Sequence, residues 1–284
     1  MPDTPAAKTS TQLLQNTALG LGVQFDAICR EHGLRYSLAF GSLIGAVRHH
    51  GFIPWDDDLD FLMPRPDYER FVEVAAAELP PYYRLQNYRV DGSKRYVTRL
   101  VDMRLTLRLQ SYETNNDLNP WIDIFPLDGA PEGAAARKVH GLRILWHKAM
   151  CAFASFSETV NQHRPGRPRY QQLIIDFCRV TRFGSWMDIY ERLDKYDRAL
   201  KRYAFDACED CVCGVGTYDV ERQTWPRAAF ERLVEYDFEG VRLMGAADFD
   251  AVLAPTYGDY MTLPPEDQRL MHEIEVFDAH GGGL

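Results

Sequence analysis

The sequence predicts a mixed α/β fold of the α+β kind, with a mixed sheet flanked by helices, a helical middle and a small α+β end. Three observations carry this. Strand-like runs and helical repeats are interleaved in the first part of the chain. Several strands there follow one another without a helix between them, which speaks against a purely parallel, doubly wound sheet. From about residue 131 to 207 the apolar spacing is mostly helical. The expected division is a core over 1–130, a helical region over 131–207, and an α+β part over 208–284 packed on the core as one compact unit.

Taken in order, Leu13, Leu14, Leu19, Val23, Phe25 and Ile28 recur at helical spacing and give a helix over about 10–32, with Gly33 as its stop. "RYSLAF" (35–40) reads as a short strand, and "GSLIGAVRHHG" as Gly-Ser leading into a short helix that stops at Gly51. "DDLDFLM" is strand-like. Pro64 and Pro66 break it before "DYERFVEVAAAEL", an amphipathic helix capped by Asp67. "YYRLQNY", "RYVTRLV" and "RLTLRLQSY" are strands, and "NPWIDIFPLDG" is a short strand ended by Pro126 and Asp128-Gly129. "HRPGRPR" (163–169) breaks the helical middle as an exposed loop. "FERLVEY" and "FEGVRLM" are short strands, followed by a helix near 247–254 and an irregular tail.

The chain has 284 residues, 46% hydrophobic and 26% charged, an ordinary globular balance with room for a sizeable core. A net charge of −9 weighs against nucleic acid as a partner. No run approaches the roughly 18 apolar residues that cross a bilayer, and the N-terminus lacks the layout of a secretion signal. A cytoplasmic protein with reduced thiols is expected, its six cysteines being too sparse for a disulfide scaffold.

"GFIPWDDDLDF" (51–61) crowds Asp56, Asp57, Asp58 and Asp60 into five positions just before an apolar run. In an extended strand Asp56, Asp58 and Asp60 would share one face about 6.6 Å apart, with Leu59, Phe61 and Met63 toward the core. Two charges at that spacing repel by about 2.5 kcal/mol at an effective dielectric near 20. A divalent cation would offset this, and Mg²⁺ takes one or two carboxylates together with substrate phosphates. A solvated acidic turn is the plainer alternative. A calcium loop fails, since Phe61 and Asp67 stand where it needs Gly and Glu. Upstream, Gly41-Ser42 at a helix start suits close approach to an anion. Downstream, Asp123 lies between Ile122 and Ile124 and needs a partner, whether a cation or a salt bridge.

Gly-Ser at a helix mouth, paired aspartates on a following strand and a third on a later strand together resemble the nucleotidyltransferase fold of the polymerase-beta-like superfamily. Narrower still, "GSLIGAVRHHGFIPWDDDLDFLMPRPDYERF" resembles the signature of the LicD family, which includes fukutin-like proteins. "RLVDMRLT", "WIDIFPLDG" and "FEGVRLMGAADFDAVLAPTYGDYMTLPPEDQR" agree in their places, so the likeness runs over about 10–275 and is most specific in 40–71, 121–129 and 238–269. The resemblance implies a nucleotidyltransferase-like catalytic core. It also implies a phosphotransferase that moves a substituted phosphate, such as phosphocholine, from a CDP-linked donor to a hydroxyl of a cell-surface glycan or lipid-linked glycan, releasing CMP. By the same resemblance Gly41 and Ser42 contact the donor diphosphate. Asp58, Asp60 and Asp123 bind Mg²⁺ or Mn²⁺, with Asp56 beside them among the catalytic carboxylates.

Other residues are weighed against structural roles. Asp123 is the candidate base for the acceptor proton, or only a ligand. Arg48 meets a phosphate or lies on a solvated helix face, and His49 and His50 are the polar end of that helix. Arg99 and Asp102 line the donor pocket or pair structurally. Tyr257, Asp259 and Tyr260 lock the tail to the core. Cys208, Cys211 and Cys213 fall one short of a four-ligand zinc set. Peripheral membrane contact stays open. The alternative activity is a nucleotidyltransferase that adds NMP and releases pyrophosphate; a binding protein with a dead site is disfavoured because the required carboxylates are present.

Overall fold

A computed structural model describes residues 5–109, 118–156, 168–216, 219–265, 269 and 274–278. Helix α1 (Pro5–Glu31) starts earlier than its apolar repeat suggests. It ends as expected at Gly33, whose φ of +61° lets Leu34 N–H reach back to the Cys29 carbonyl at 2.8 Å. Strand β1 (Ser37–Leu38) leads into α2 (Phe40–His49), and β2 (Asp60–Pro64) leads into α3 (Arg65–Glu78). Then come β3 (Tyr83–Gln86), β4 (Thr98–Asp102), β5 (Leu105–Leu109) and β6 (Trp121–Ala130). The helical middle is α4 (Ala134–Ala154), α5 (Arg169–Thr181) and α6 (Ile189–Leu200). The end consists of β7 (Asp210–Val212), β8 (Thr224–Pro226), β9 (Leu233–Phe238), β10 (Val241–Ala246), α7 (Phe249–Tyr257) and β11 (Ile274–Asp278).

The main sheet runs β1-β2-β6-β4-β3, with β7 and β8 continuing from β6. Only β2 and β6 pair in parallel; the other neighbours are antiparallel, so the sheet is mixed as expected. In β2, Phe61, Leu62 and Met63 are all fully buried, as befits a strand covered on both faces. One contiguous core joins α1, the central strands, α6, the β9–β10 hairpin and α7. No described helix is long and apolar enough to cross a membrane.

Four local expectations are corrected. Asp56 and Asp58 are not on a strand, because β2 begins only at Asp60 and a turn closed by Asp56 N–H to the Ile53 carbonyl precedes it. Asp67 does not cap α3, which begins two residues earlier with proline in its first turn; Asp67 instead accepts from the Arg35 backbone and guanidinium. The αL residue ending α2 is His50 rather than Gly51. Gly51 serves another purpose: a Cβ there would lie 2.1 Å from the Glu239 carboxylate and displace it from the Phe52 N–H it accepts from. Nor does Pro126 end β6. Antiparallel pairing with β4 stops at Ile124 and that with β7 starts at Asp128. Asp123 N–H points to β2, so strand alternation aims position 126 at the gap between those partners, where no donor is needed. The expected "HRPGRPR" loop lies outside the described residues up to 167, and Arg169 already belongs to α5.

Candidate active site

The parallel register sets Asp60 of β2 directly beside Asp123 of β6, and the antiparallel register sets Asp123 beside Arg99 of β4. Neighbouring strands lie about 4.8 Å apart, so the three side chains form a row across one face of the sheet. Arg99 Nε donates to Asp123 Oδ1 at 2.8 Å, and the Trp121 indole N–H donates to Oδ2 at 3.0 Å. The Arg99 guanidinium also stacks 4.1 Å from the centre of the Trp121 ring. Asp123 therefore has the salt-bridge partner that so apolar a strand demanded, and its carboxylate is held in one orientation.

The mouth of α2 abuts this row. Ala39 N–H donates to the Asp60 carbonyl at 3.0 Å, and no side chain caps the helix. Phe40, at a φ of +48°, turns the chain sharply into the helix while its ring packs edge-on against Phe125. Such a conformation costs about 1–3 kcal/mol and needs firm packing to persist. A Cβ on Gly41 would come within 2.6 Å of Asp56 Oδ2, so a side chain there would displace that carboxylate. The buried Ser42 hydroxyl accepts from Asp60 N–H at 2.9 Å and leans on the Asp58 carbonyl at 3.5 Å. Ser42 thus holds the aspartate segment in place, a role not read from its motif. Gln15 of α1 adds a bond to the Asp56 carbonyl at 2.8 Å.

These restraints gather the carboxylates. Oxygens of Asp56, Asp57 and Asp58 lie within 4.8 Å of one another, the sole such group of metal-capable side chains among the described residues. Asp57 was not among the expected ligands, because alternation along a strand would have turned it away. Burial, then repulsion from Asp123, Asp58 and Asp56, holds the Asp60 carboxyl well above the usual carboxylate range, with the Arg99 charge opposing. Hard oxygens crowded at the cost of mutual repulsion are a donor set that fits Mg²⁺ or Mn²⁺.

The tail forms another wall. Burial raises the Tyr257 phenol, and so do the charges of Asp60 and Asp56, which places α7 beside the carboxylates. Arg48 donates to the Tyr260 carbonyl at 2.5 Å, and burial lowers its pKa. Arg269 lies over the Trp55 ring. Asp102 does not join the site; it pairs with Arg104. Cys211 and Cys213 are buried on and just after β7, and burial pushes the Cys213 thiol up to about 11. Among the described residues the three clustered cysteines do not form a group able to share an ion.

Comparison with known proteins bears on this arrangement. The family model described as "LicD/FKTN/FKRP, nucleotidyltransferase domain" matches residues 33–153, which contain the five carboxylates, Gly41, Ser42, Arg48 and Arg99. The chain is also 28% identical over 254 residues to the lipopolysaccharide cholinephosphotransferase LicD of Haemophilus influenzae, covering 88% of this chain and 91% of that protein. Residues 33–153 therefore carry a LicD-type domain. Shorter matches join the chain to an uncharacterized protein of Rickettsia typhi, 36% identical over 67 residues (24% of this chain, 20% of that one). Another, of Rickettsia prowazekii, is 33% identical over 66 residues and covers 23% of each chain.

Proposed function

We propose that this LicD-type enzyme transfers a substituted phosphate, phosphocholine foremost, from a CDP-linked donor to a hydroxyl of a cell-surface glycan or its precursor, with release of CMP. The observation that carries the reading is the row Asp60–Asp123–Arg99 set against the Asp56–Asp57–Asp58 cluster at an uncapped helix mouth. The lipopolysaccharide cholinephosphotransferase LicD, alignable over most of both chains, supports the choice of phosphocholine and of a glycan acceptor. The carboxylates of Asp58 and Asp60, with Asp56 and Asp57 beside them and Asp123 as a further ligand, would hold Mg²⁺ or Mn²⁺. When bound, the ion would neutralise charge on the donor diphosphate. The first-turn amides of α2 at Gly41 and Ser42 face the anionic donor. Arg99, already poised on Asp123, supplies a planar double donor for a phosphate, and Arg48 lies two turns along α2 from Gly41, on the Tyr260 carbonyl.

In the transfer itself, the acceptor oxygen forms a bond to the phosphorus that bears the substituent. The bond from that phosphorus to the bridging oxygen breaks, and CMP leaves with the bridging oxygen. The acceptor proton passes to a carboxylate, for which the oriented Asp123 is our choice. A CDP-linked donor is built from a cytidine nucleotide, so this reading favours a cytoplasmic enzyme. The test is incubation with CDP-choline, CDP-ethanolamine, CDP-glycerol and CDP-ribitol plus Mg²⁺ and a glycan acceptor. CMP release dependent on donor and acceptor supports the reading. Pyrophosphate release from CTP with a sugar phosphate, and no CMP from any donor, would replace it with nucleotidyl transfer.

A further inference from the structure

Two helices of the middle region present apolar side chains to solvent at helical spacing. On α4 these are Val139, Leu142 and Trp146, the last 63% exposed. Their intervals of three and seven residues put them on one face. Phe153, another seven residues along, continues that face. On α5, Leu173, Phe177 and Val180 follow the same rule at 70%, 55% and 79% exposure, and Trp186 beyond the helix end is 73% exposed. The two stripes meet. Phe153 packs edge-on against Phe183 with ring centres 5.3 Å apart, and with Leu173, Phe177 and Cys178 these rings border a shallow hollow of about 240 Å³. Monomeric proteins rarely expose apolar surface as a continuous band, and such bands mark docking surfaces.

Charge identifies the occupant. From Arg137 to Arg182 the chain carries nine Lys and Arg against two Asp and Glu, whereas the remainder carries 23 against 39. The stretch that carries the band is therefore basic within an acidic chain, and Lys138, Arg143 and Arg182 lie on its two helices or at their ends. A second copy docking through it would bring two positive faces together, since a twofold interface matches a patch with itself. An anionic lipid surface instead complements both features. Exposed tryptophans at the boundary, aliphatic side chains reaching below it and arginines among the headgroups are the chemistry of an interfacially bound helix face. We propose that the α4–α5 band is a peripheral membrane-docking face that seats the enzyme on anionic phospholipid. This rests on the band and its charge and not on the transfer reaction.

The test is flotation of the full chain with vesicles of phosphatidylglycerol and phosphatidylethanolamine, against vesicles of phosphatidylcholine alone. The wild type should float with the anionic vesicles, and binding should weaken several-fold in high salt as surface charge is screened. The variant W146A/F177A/W186A removes exposed rings only, so its circular dichroism and melting should match the wild type, while its vesicle partitioning falls at least about 10-fold. No flotation of the wild type would overturn the proposal. So would undiminished flotation of the folded triple variant, or a wild-type dimer that the variant converts to monomer without any vesicle binding.

Discussion

The two ends of one parallel strand pair make opposite use of charge. At the start of β2 and β6, Asp60 and Asp123 stand beside Asp56, Asp57 and Asp58, and among the described residues Arg99 is the cation paired into the row. At the far end of the same strands Arg65 donates to both oxygens of the fully buried Asp128, at 2.7 and 2.5 Å. There Arg65, Arg89 and Lys201 meet Asp128, Asp197 and Glu69, three cations against three anions. Tyr96 completes that network by donating to Asp197 at 2.5 Å. Balanced charge with full hydrogen bonding fastens α3 and α6 to the sheet. The crowded carboxylates at the other end are instead a hard-oxygen set suited to a divalent cation.

The sharpest way to break this comparison is to neutralise one aspartate at each end. Asp128→Asn leaves the buried Arg65 guanidinium poorly compensated and should cost about 3–5 kcal/mol of stability, read by denaturant unfolding, with turnover per folded molecule little changed. Asp60→Asn should do the reverse. Turnover should fall by about 10²–10³-fold, as for loss of a key electrostatic group in a site, while the metal-free protein melts no lower and, with repulsion eased, somewhat higher. A variant at position 60 that turns over near the wild-type rate in Mg²⁺ would remove that carboxylate from the site.

Ligand protection gives a smaller effect on the same axis. CMP with Mg²⁺ at about 100 times its Kd should add roughly 2.7 kcal/mol to wild-type stability. Asp60→Asn should lose most of that gain, and Asp128→Asn, though less stable, should keep it. Equal gains in all three proteins, measured as melting shifts, would show that the nucleotide sits elsewhere.

The smallest effect is in pH, where the two ends should differ in sign. Burial pushes the Glu69 carboxyl up, but hydrogen bonds from Arg89 and Lys201 outweigh it and bring it down to about 2. Its stabilisation is complete above the ordinary Glu value near 4.5 and is lost as pH falls through about 2. Allowing for solvent screening, this is roughly 1–2 kcal/mol. The Asp60 carboxyl is raised in the fold, so the metal-free protein loses stability as pH rises above 3.8 toward that raised value. Glu69→Gln should flatten the loss below pH 4.5, and Asp60→Asn the loss above 3.8; matching slopes in both variants would contradict the contrast.

Much of the local architecture was legible in the residues. Helical spacing located α1 and α3, Gly33 marked the end of α1, and "FERLVEY" and "FEGVRLM" became a hairpin joined at Glu239-Gly240, both at positive φ. Crowding of like charges pointed to residues 56–60, and an aspartate among isoleucines pointed to 123. These signals depend on neighbours within a few positions, which is the range over which side-chain periodicity, turn sterics and mutual repulsion act. Other features needed the whole fold. Pairing of Asp60 with Asp123 depends on a parallel register between strands more than fifty residues apart in sequence, and Asp57 joins the cluster only because a turn replaces the extended segment that alternation implied. Pro126 stays inside β6 because two different strands stop short of it. Arg65 finds Asp128 and Asp197 because α3 and α6 pack on the same sheet end. A sequence states which groups need a partner, but a partner distant along the chain is chosen by strand register and helix packing, which only the assembled core fixes.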